Sequence, residues 1–200
     1  LYIMKPDGSG QVKVDLGQEN DIYLARVDWS KDGKTLYVQR QSRDQKRLDL
    51  LAVDPATGKA KVLLAEKAKT WINLSNNFSP MSDGSFLWWS EKMGHGHLYH
   101  VRGGKWVPLT SGAWEVREVV AVDEKQGLVY FTGNRETPLE QHLYAAPLSG
   151  KGMLRQLTSD GWWNDAVMDN AATRVVIARS NTDQPKQVYL ADSSGKLLQW

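Results

Sequence analysis

The stretch Asp28-Trp29-Ser30-Lys31-Asp32-Gly33-Lys34-Thr35-Leu36-Tyr37-Val38 joins two β-type runs by a short polar turn. An Asp-Gly pair between such runs is typical of a tight hairpin, because glycine takes the positive φ that primed turns require. The apolar residues after the turn follow one another without alternating, which is typical of a strand buried on both faces. The stretch therefore predicts an antiparallel hairpin whose second strand lies inside the protein.

This unit occurs four times along the chain, with the later turn segments at 77–89, 122–131 and 167–177. A second hairpin follows each turn segment. These second hairpins lead with Leu51, Leu98, Leu143 and Val188, so successive units are separated by 47, 45 and 45 residues. Four strands in a repeat of this length are typical of a β-propeller blade. A β-sandwich also fits short strands, but it does not explain the repeat.

The repeat predicts an all-β chain that forms part of a β-propeller, with about four four-stranded antiparallel blades and a partial N-terminal blade. The expected bounds within this single domain are 1–18 for the partial blade and 21–65, 70–111, 114–158 and 162–200 for the others. Large aromatic side chains can fill the space between twisted blades. This role is expected of five of the nine tryptophans, namely Trp29, Trp88, Trp89, Trp106 and Trp114.

The composition excludes several classes of protein. An apolar share of 41% with 24% charged residues indicates a folded protein rather than a disordered one. The net charge of +2 is spread without a basic run, so no nucleic-acid partner is expected. The apolar runs are too short for a membrane span, and the absence of cysteine excludes disulfides and thiolate metal sites. The start at Leu1 shows no signal peptide and suggests an excised segment.

An ordered set of segments resembles the propeller of bacterial dipeptidyl peptidase IV, in the prolyl oligopeptidase superfamily. The set covers most of the chain in the order found in that family. It consists of Asp21-Ile22-Tyr23-Leu24-Ala25-Arg26-Val27-Asp28-Trp29, Leu36-Tyr37-Val38-Gln39-Arg40, Arg47-Leu48-Asp49-Leu50-Leu51, Phe86-Leu87-Trp88-Trp89-Ser90-Glu91, His97-Leu98-Tyr99, Leu109-Thr110-Ser111-Gly112-Ala113-Trp114-Glu115-Val116, Val129-Tyr130-Phe131-Thr132 and His142-Leu143-Tyr144.

The resemblance implies the second half of an eight-bladed propeller that ends at Trp200, just before an α/β-hydrolase domain of the same parent chain. In that family the hydrolase supplies a Ser-Asp-His triad, and the propeller gates access to it. The parent is then a serine peptidase that removes Xaa-Pro or Xaa-Ala dipeptides from the N-termini of peptide substrates. The resemblance also implies no cofactor and a periplasmic or secreted location.

The chain alone is expected to be no enzyme. A nucleophile elbow needs Gly-x-Ser-x-Gly at a strand-to-helix turn, and that pattern is absent, since Gly8-Ser9-Gly10 is only a hairpin tip. The adjacent glutamate pair with which the family grips the substrate's ammonium group is absent as well. No catalytic or substrate-binding residue is therefore assigned. The alternative hypothesis is a stand-alone periplasmic propeller that acts as a protein-binding scaffold.

Three close histidines, His95, His97 and His100, raise the question of a metal site. His95 and His97 would share one face of a strand, but His100 would point to the other face. Structural roles are therefore favoured, and no metal ligand is assigned.

Other residues with a possible function are interpreted structurally. Glu115 and the pair Asp123-Glu124 are expected to be solvated carboxylates, and one ring of Trp162-Trp163 is expected in the core with the other at a rim. By resemblance, the segment 70–77 is the best candidate for contact with substrate. It lacks an aromatic-basic pair found in mammalian members of the family, so it is not assigned as a site.

A propeller cut between blades exposes an apolar sheet face at each end. Such faces drive association. The isolated chain is therefore expected to dimerise or oligomerise through its terminal blades.

Overall fold

The computed structural model describes residues 1–200 and contains only β-strands, turns and irregular segments. No helix long and apolar enough to cross a membrane is present. The strands form a two-stranded hairpin and four four-stranded sheets, each a meander of consecutive strands. The prediction of an all-β chain with about four four-stranded units and a partial leading unit is confirmed.

The strands follow the repeat closely. The hairpin consists of β1 (Tyr2–Ile3) and β2 (Val12–Lys13), and sheet 1 of β3 (Ile22–Trp29), β4 (Leu36–Ser42), β5 (Arg47–Val53) and β6 (Ala60–Lys67). Sheet 2 consists of β7 (Ser79–Pro80), β8 (Phe86–Ser90), β9 (His97–Arg102) and β10 (Lys105–Pro108). Sheet 3 consists of β11 (Val116–Asp123), β12 (Leu128–Gly133), β13 (His142–Pro147) and β14 (Arg155–Gln156). Sheet 4 consists of β15 (Trp163–Met168), β16 (Arg174–Ser180), β17 (Gln187–Asp192) and β18 (Leu197–Gln199).

The chain forms two compact units. The first comprises Leu1–Ser75, Pro80–Ser85 and Arg102–Gly104, and the second comprises Asn76–Ser79, Phe86–Val101 and Lys105–Trp200. Apart from β6, which runs to Lys67, the strands of each sheet lie inside the bounds expected for one blade. The assignment of the whole chain to a single domain stays a prediction.

Aspartate side chains close many of the hairpin turns. Asp32 Oδ1 accepts hydrogen bonds from Ser30 Oγ at 2.7 Å and from Lys34 N at 3.1 Å. The Ser30 hydroxyl bond is the largest cause that lowers the pKa of Asp32. Asp169 closes the corresponding turn of sheet 4 in the same way, with Thr173 N at 2.6 Å. These bonds join residues close in sequence, so the turns form from local chemistry alone.

In the first unit, the β1–β2 hairpin packs against one face of sheet 1. Val14, just after β2, joins Leu36, Val38, Leu51 and Val53 in an apolar cluster whose members are each at most 4% exposed. The main chain fastens the hairpin further, because Asp15 N donates to Gly58 O at 2.8 Å.

Gly58 makes this contact possible, and its replacement tests the packing. Its φ is +72°, and an added Cβ would lie 2.0 Å from Lys13 O. Gly33 has a similar φ of +70° but open space around it. We expect Gly58→Ala to lower the free energy of unfolding more than Gly33→Ala, which costs only about 1 kcal/mol of backbone strain. Urea unfolding of both variants measures the difference, and equal losses would contradict the close approach to Lys13.

In the second unit, sheets 3 and 4 share one apolar core. Its large buried members come from the middle strands of both sheets, and they are Tyr130, Leu143, Val175, Ile177 and Tyr189. A second group lies at sheet 3, where the rings of Phe131, Trp114 and Tyr144 pack against one another with ring centres 5.7 Å, 6.0 Å and 6.3 Å apart. Middle strands buried on both faces are thus found as expected at β12, where 129–133 are all buried.

Two expectations about burial were wrong. Trp29 is 48% exposed, because the two-stranded hairpin covers only part of the sheet face on which it lies. Val176, in the middle of β16, is 45% exposed, because only one face of sheet 4 packs against sheet 3. Both residues stand in apolar runs, and a run alone does not show whether both of its faces are covered.

Candidate functional site

His97 lies fully buried at the start of β9, and both of its ring nitrogens have partners. Nδ1 lies 3.0 Å from Thr110 Oγ1, and Nε2 lies 3.0 Å from the carbonyl oxygen of Gly112. Thr110 Oγ1 also accepts a hydrogen bond from Leu98 N, so its own hydrogen is available to Nδ1. Nε2 must then carry the proton that is donated to the carbonyl. His97 is a neutral imidazole that ties β9 to the loop after β10.

His142 repeats this arrangement at the start of β13. It is fully buried, its Nδ1 lies 3.1 Å from Thr158 Oγ1, and the same hydroxyl accepts a hydrogen bond from Leu143 N. Its Nε2 meets the carboxylate of Glu140 at 2.9 Å instead of a backbone carbonyl. Both histidines therefore contact a threonine hydroxyl through Nδ1. Nε2 contacts a backbone carbonyl in His97 and a carboxylate in His142.

The difference comes from two positions in the repeat. Glu140 stands two residues before His142, where His95 stands before His97, and Asp160 stands two residues after Thr158, where Gly112 follows Thr110. The ligand atoms of Glu140, His142 and Asp160 lie within 4.8 Å of one another. We call these three residues the acid–histidine cluster. They are the side chains best placed to hold a cation.

The three histidines considered from the sequence do not converge. His95 lies in the loop before β9, so it does not share a strand face with His97 as expected. His100 Nδ1 lies 2.9 Å from the carbonyl oxygen of Leu148, just after β13. The cluster at His142 was missed, because Glu140 and Asp160 are 20 residues apart in the sequence.

Burial of His97 makes stability depend on pH. Burial lowers the pKa of His97 below its ordinary 6.5, and the nearby His95 lowers it further, while the Gly112 carbonyl and Glu115 oppose the shift. The unfolded chain therefore binds the proton more readily than the native state. The contribution of neutral His97 to the free energy of unfolding is fully present above pH 6.5. It is lost as the pH falls from there through the pKa of His97 in the folded state.

We expect the unfolding midpoint in urea to fall between about pH 7.5 and about pH 5.5. His97→Gln removes the titrating group and should make this dependence shallower. An equally steep dependence in the variant would show that other groups cause it.

The carboxylates singled out from the sequence, at Glu115 and Asp123, lie at the two ends of β11. Asp123, at the end of β11, accepts hydrogen bonds from Lys125 N and Gln126 N at 3.0 Å and closes a turn. The backbone N–H of Glu115 is held by Asn134 Oδ1 at 2.8 Å, just before β11 begins. Glu115 and Asp123 are therefore separated by the length of β11.

Neither ring of the Trp162-Trp163 pair lies fully in the core, and both are half-buried. The Arg179 guanidinium lies 4.0 Å from the ring centre of Trp162, and the Arg117 guanidinium lies 5.2 Å from that of Trp163. The expected division into one core ring and one rim ring was wrong, because each ring packs under an arginine.

The segment 70–77 combines anchored and exposed residues. In the first unit, the buried Ile72 is held by Gln45 O, to which its N–H donates, and by Gln41 Nε2, which donates to its carbonyl at 2.9 Å. Trp71 is 59% exposed, and its indole N–H reaches Asn73 Oδ1 at 3.2 Å. The contact of this segment with substrate stays a prediction.

Solved structures of similar fold cover almost the whole chain. The structure of dipeptidyl peptidase 4 from Porphyromonas gingivalis superimposes with a TM-score of 0.90 at 24% identity, over 99% of this chain and 28% of that one. A putative dipeptidyl aminopeptidase IV from Bacteroides ovatus superimposes with a TM-score of 0.84 at 22% identity, over 96% of this chain and 30% of that one. These likenesses agree with the sheets described above, and the fold is a partial all-β propeller.

Sequence relatives carry related names. A probable dipeptidyl peptidase 4 of Aspergillus flavus is 27% identical, over 94% of this chain and 26% of the relative. Dipeptidyl peptidase 8 of Homo sapiens is 26% identical, over 84% of this chain and 25% of the relative. The chain thus spans about a quarter of the length of these proteins. The family model described as the dipeptidyl peptidase IV (DPP IV) N-terminal region matches residues 1–186. With nearly all of its repeats inside that match, the chain belongs to the family of dipeptidyl peptidase IV N-terminal regions.

Proposed function

We propose that this chain is the non-catalytic propeller segment of a serine dipeptidyl peptidase and gates access to a hydrolase domain of the same parent chain. The observation that carries the proposal is the family match over residues 1–186, together with relatives named dipeptidyl peptidases of which the chain covers only about a quarter. The parent removes Xaa-Pro or Xaa-Ala dipeptides from the N-termini of its peptide substrates.

The packed four-stranded sheets support a gating role rather than a chemical one. The buried polar side chains His97 and His142 are engaged by threonine hydroxyls of the same fold. A propeller of packed sheets is rigid, and a rigid opening can admit an extended chain while excluding a folded domain.

The test uses the full-length gene product and a Gly-Pro-linked chromogenic substrate, with and without a serine-directed inhibitor. We expect inhibitor-sensitive release by the full-length protein and none by residues 1–200. Absence of cleavage by a well-folded full-length protein would overturn the proposal and favour the scaffold alternative. Gating is tested separately, by comparing cleavage of a short peptide with that of a folded protein bearing the same N-terminus.

The same resemblance leads us to propose a periplasmic or secreted location for the parent. Cell fractionation with an antibody against the chain tests it. Recovery of the parent only with cytoplasmic markers would overturn it.

We further propose that the isolated chain self-associates through the outer face of sheet 4. Val167 pairs with Val176, Val176 pairs with Leu190, and Val188 lies on the same face two residues before Leu190. The three valines are 71%, 45% and 53% exposed, so three adjacent strands present apolar side chains to solvent. Light scattering should find dimers or larger species, and Val176→Lys should shift them to monomers. A monomeric wild-type chain at high concentration would contradict this.

A further inference from the structure

The acid–histidine cluster carries negative charge that no basic side chain neutralises. Glu140 Oε2 lies 2.9 Å from His142 Nε2, and it also accepts a hydrogen bond from Gly161 N at 2.9 Å. Asp160 accepts a hydrogen bond from the amide of Gln156 at 2.7 Å. Neither carboxylate contacts a lysine or an arginine. Two carboxylates this close repel each other, and a bound cation would relieve that repulsion.

A buried tyrosine beside the cluster provides an independent observation. Tyr144 points to the same face of β13 as His142, and the two ring centres lie 6.2 Å apart. Its hydroxyl is buried and makes no hydrogen bond of good geometry. A buried hydroxyl near the cluster therefore has unused hydrogen-bonding capacity.

His142 is held in the way that suits a metal ligand. Binding through Nε2 requires a free lone pair there, so the proton of the neutral ring must move to Nδ1. Thr158 Oγ1 can accept a hydrogen bond from this Nδ1–H, because Leu143 N uses only one of the two lone pairs of that hydroxyl. Metal-bound histidines are commonly oriented by such a hydrogen bond from the second ring nitrogen.

We propose that Glu140, His142 and Asp160 bind a divalent transition-metal ion, with zinc as the best fit. One imidazole nitrogen and two carboxylate oxygens match the ligands of zinc, whereas calcium and magnesium prefer shells of oxygen alone. Asp160 is exposed, so water can complete the coordination. The ion would join the loop before β13 to the loop before β15. The His97 site has a carbonyl at Nε2 and no acid at the position of Asp160, so it is the internal counterpart that should not bind.

The test is a calorimetric titration of zinc into the metal-free full-length protein, with Glu140→Gln and Asp160→Asn as variants. The matched control is Glu136→Gln, which removes the same charge from the same loop at a residue that pairs with Arg135 at 3.7 Å. We expect one site whose affinity falls by about tenfold or more in the two cluster variants and is unchanged in the control. Calcium should bind more weakly than zinc.

Thermal unfolding gives a second readout that does not depend on peptidase activity. Zinc should raise the Tm of the wild type and of Glu136→Gln, and it should raise the Tm of Asp160→Asn less. Asp160 is exposed, so this variant keeps its fold, which circular dichroism checks. The proposal is overturned if the wild type shows no saturable zinc binding, or if both cluster variants bind as tightly as the wild type.

Discussion

Phe131→Ala is expected to lower the free energy of unfolding by about 3–5 kcal/mol, the usual cost of removing a buried phenylalanine ring. Phe131 is 0% exposed in the middle of β12. Its ring stacks against Trp114 at 6.3 Å and against Tyr144 at 5.7 Å between ring centres. Truncation therefore leaves a cavity and also removes two aromatic contacts at once.

Urea unfolding followed by tryptophan fluorescence measures this loss, since Trp114 lies in the same stack. The control is Leu139→Ala, a side chain that is 84% exposed, for which we expect a change within about 0.5 kcal/mol. A loss below about 1 kcal/mol in Phe131→Ala would mean that the site collapses around the cavity or that the stack is not formed.

Asp49→Ala is expected to lower the free energy of unfolding by about 3–5 kcal/mol, because it leaves a poorly solvated arginine without its counter-charge. The Asp49 side chain is 3% exposed, and Arg40 Nη2 donates to its Oδ2 at 2.6 Å while only 17% of the Arg40 side chain is exposed. Arg40 also donates to the carbonyl oxygen of Leu16, which holds the guanidinium in place. Asp49 thus has apolar sequence neighbours on β5, and its ion pair with Arg40 compensates for the burial of its charge.

Arg47→Ala serves as the matched control, since Arg47 also contacts Asp49, at 2.9 Å, but its side chain is 47% exposed. Its removal should cost no more than about 1 kcal/mol. The double variant Arg40→Met/Asp49→Leu should recover much of the loss of Asp49→Ala, because apolar groups replace both charges. Equal losses of unfolding free energy in Asp49→Ala and Arg47→Ala would contradict the prediction that the buried Arg40–Asp49 pair matters more than the exposed Arg47–Asp49 pair.

Burial of polar side chains was the feature least visible in the sequence. Asp49 stands in Leu48-Asp49-Leu50-Leu51, where the pattern predicts a buried strand and gives no partner for a carboxylate. Its partner Arg40 lies on the neighbouring strand, directly opposite in the register. Register follows from the hairpin, but the choice of a salt bridge there follows from side chains that meet only when the sheet has formed.

The sequence by itself determined the strands, the turns and the four-fold repeat. Those features rest on local chemistry, as in the turn where Asp32 binds Ser30 and Lys34, and they need no distant partner. The tertiary structure alone decided what His97 and His142 contact. Both stand in the same His-Leu-Tyr sequence, yet one meets a carbonyl and the other a carboxylate, with Asp160 close by. The physical reason is that the loop after the fourth strand of a sheet reaches the start of the third strand only when that sheet has formed, and no periodic pattern specifies which side chains the loop brings there.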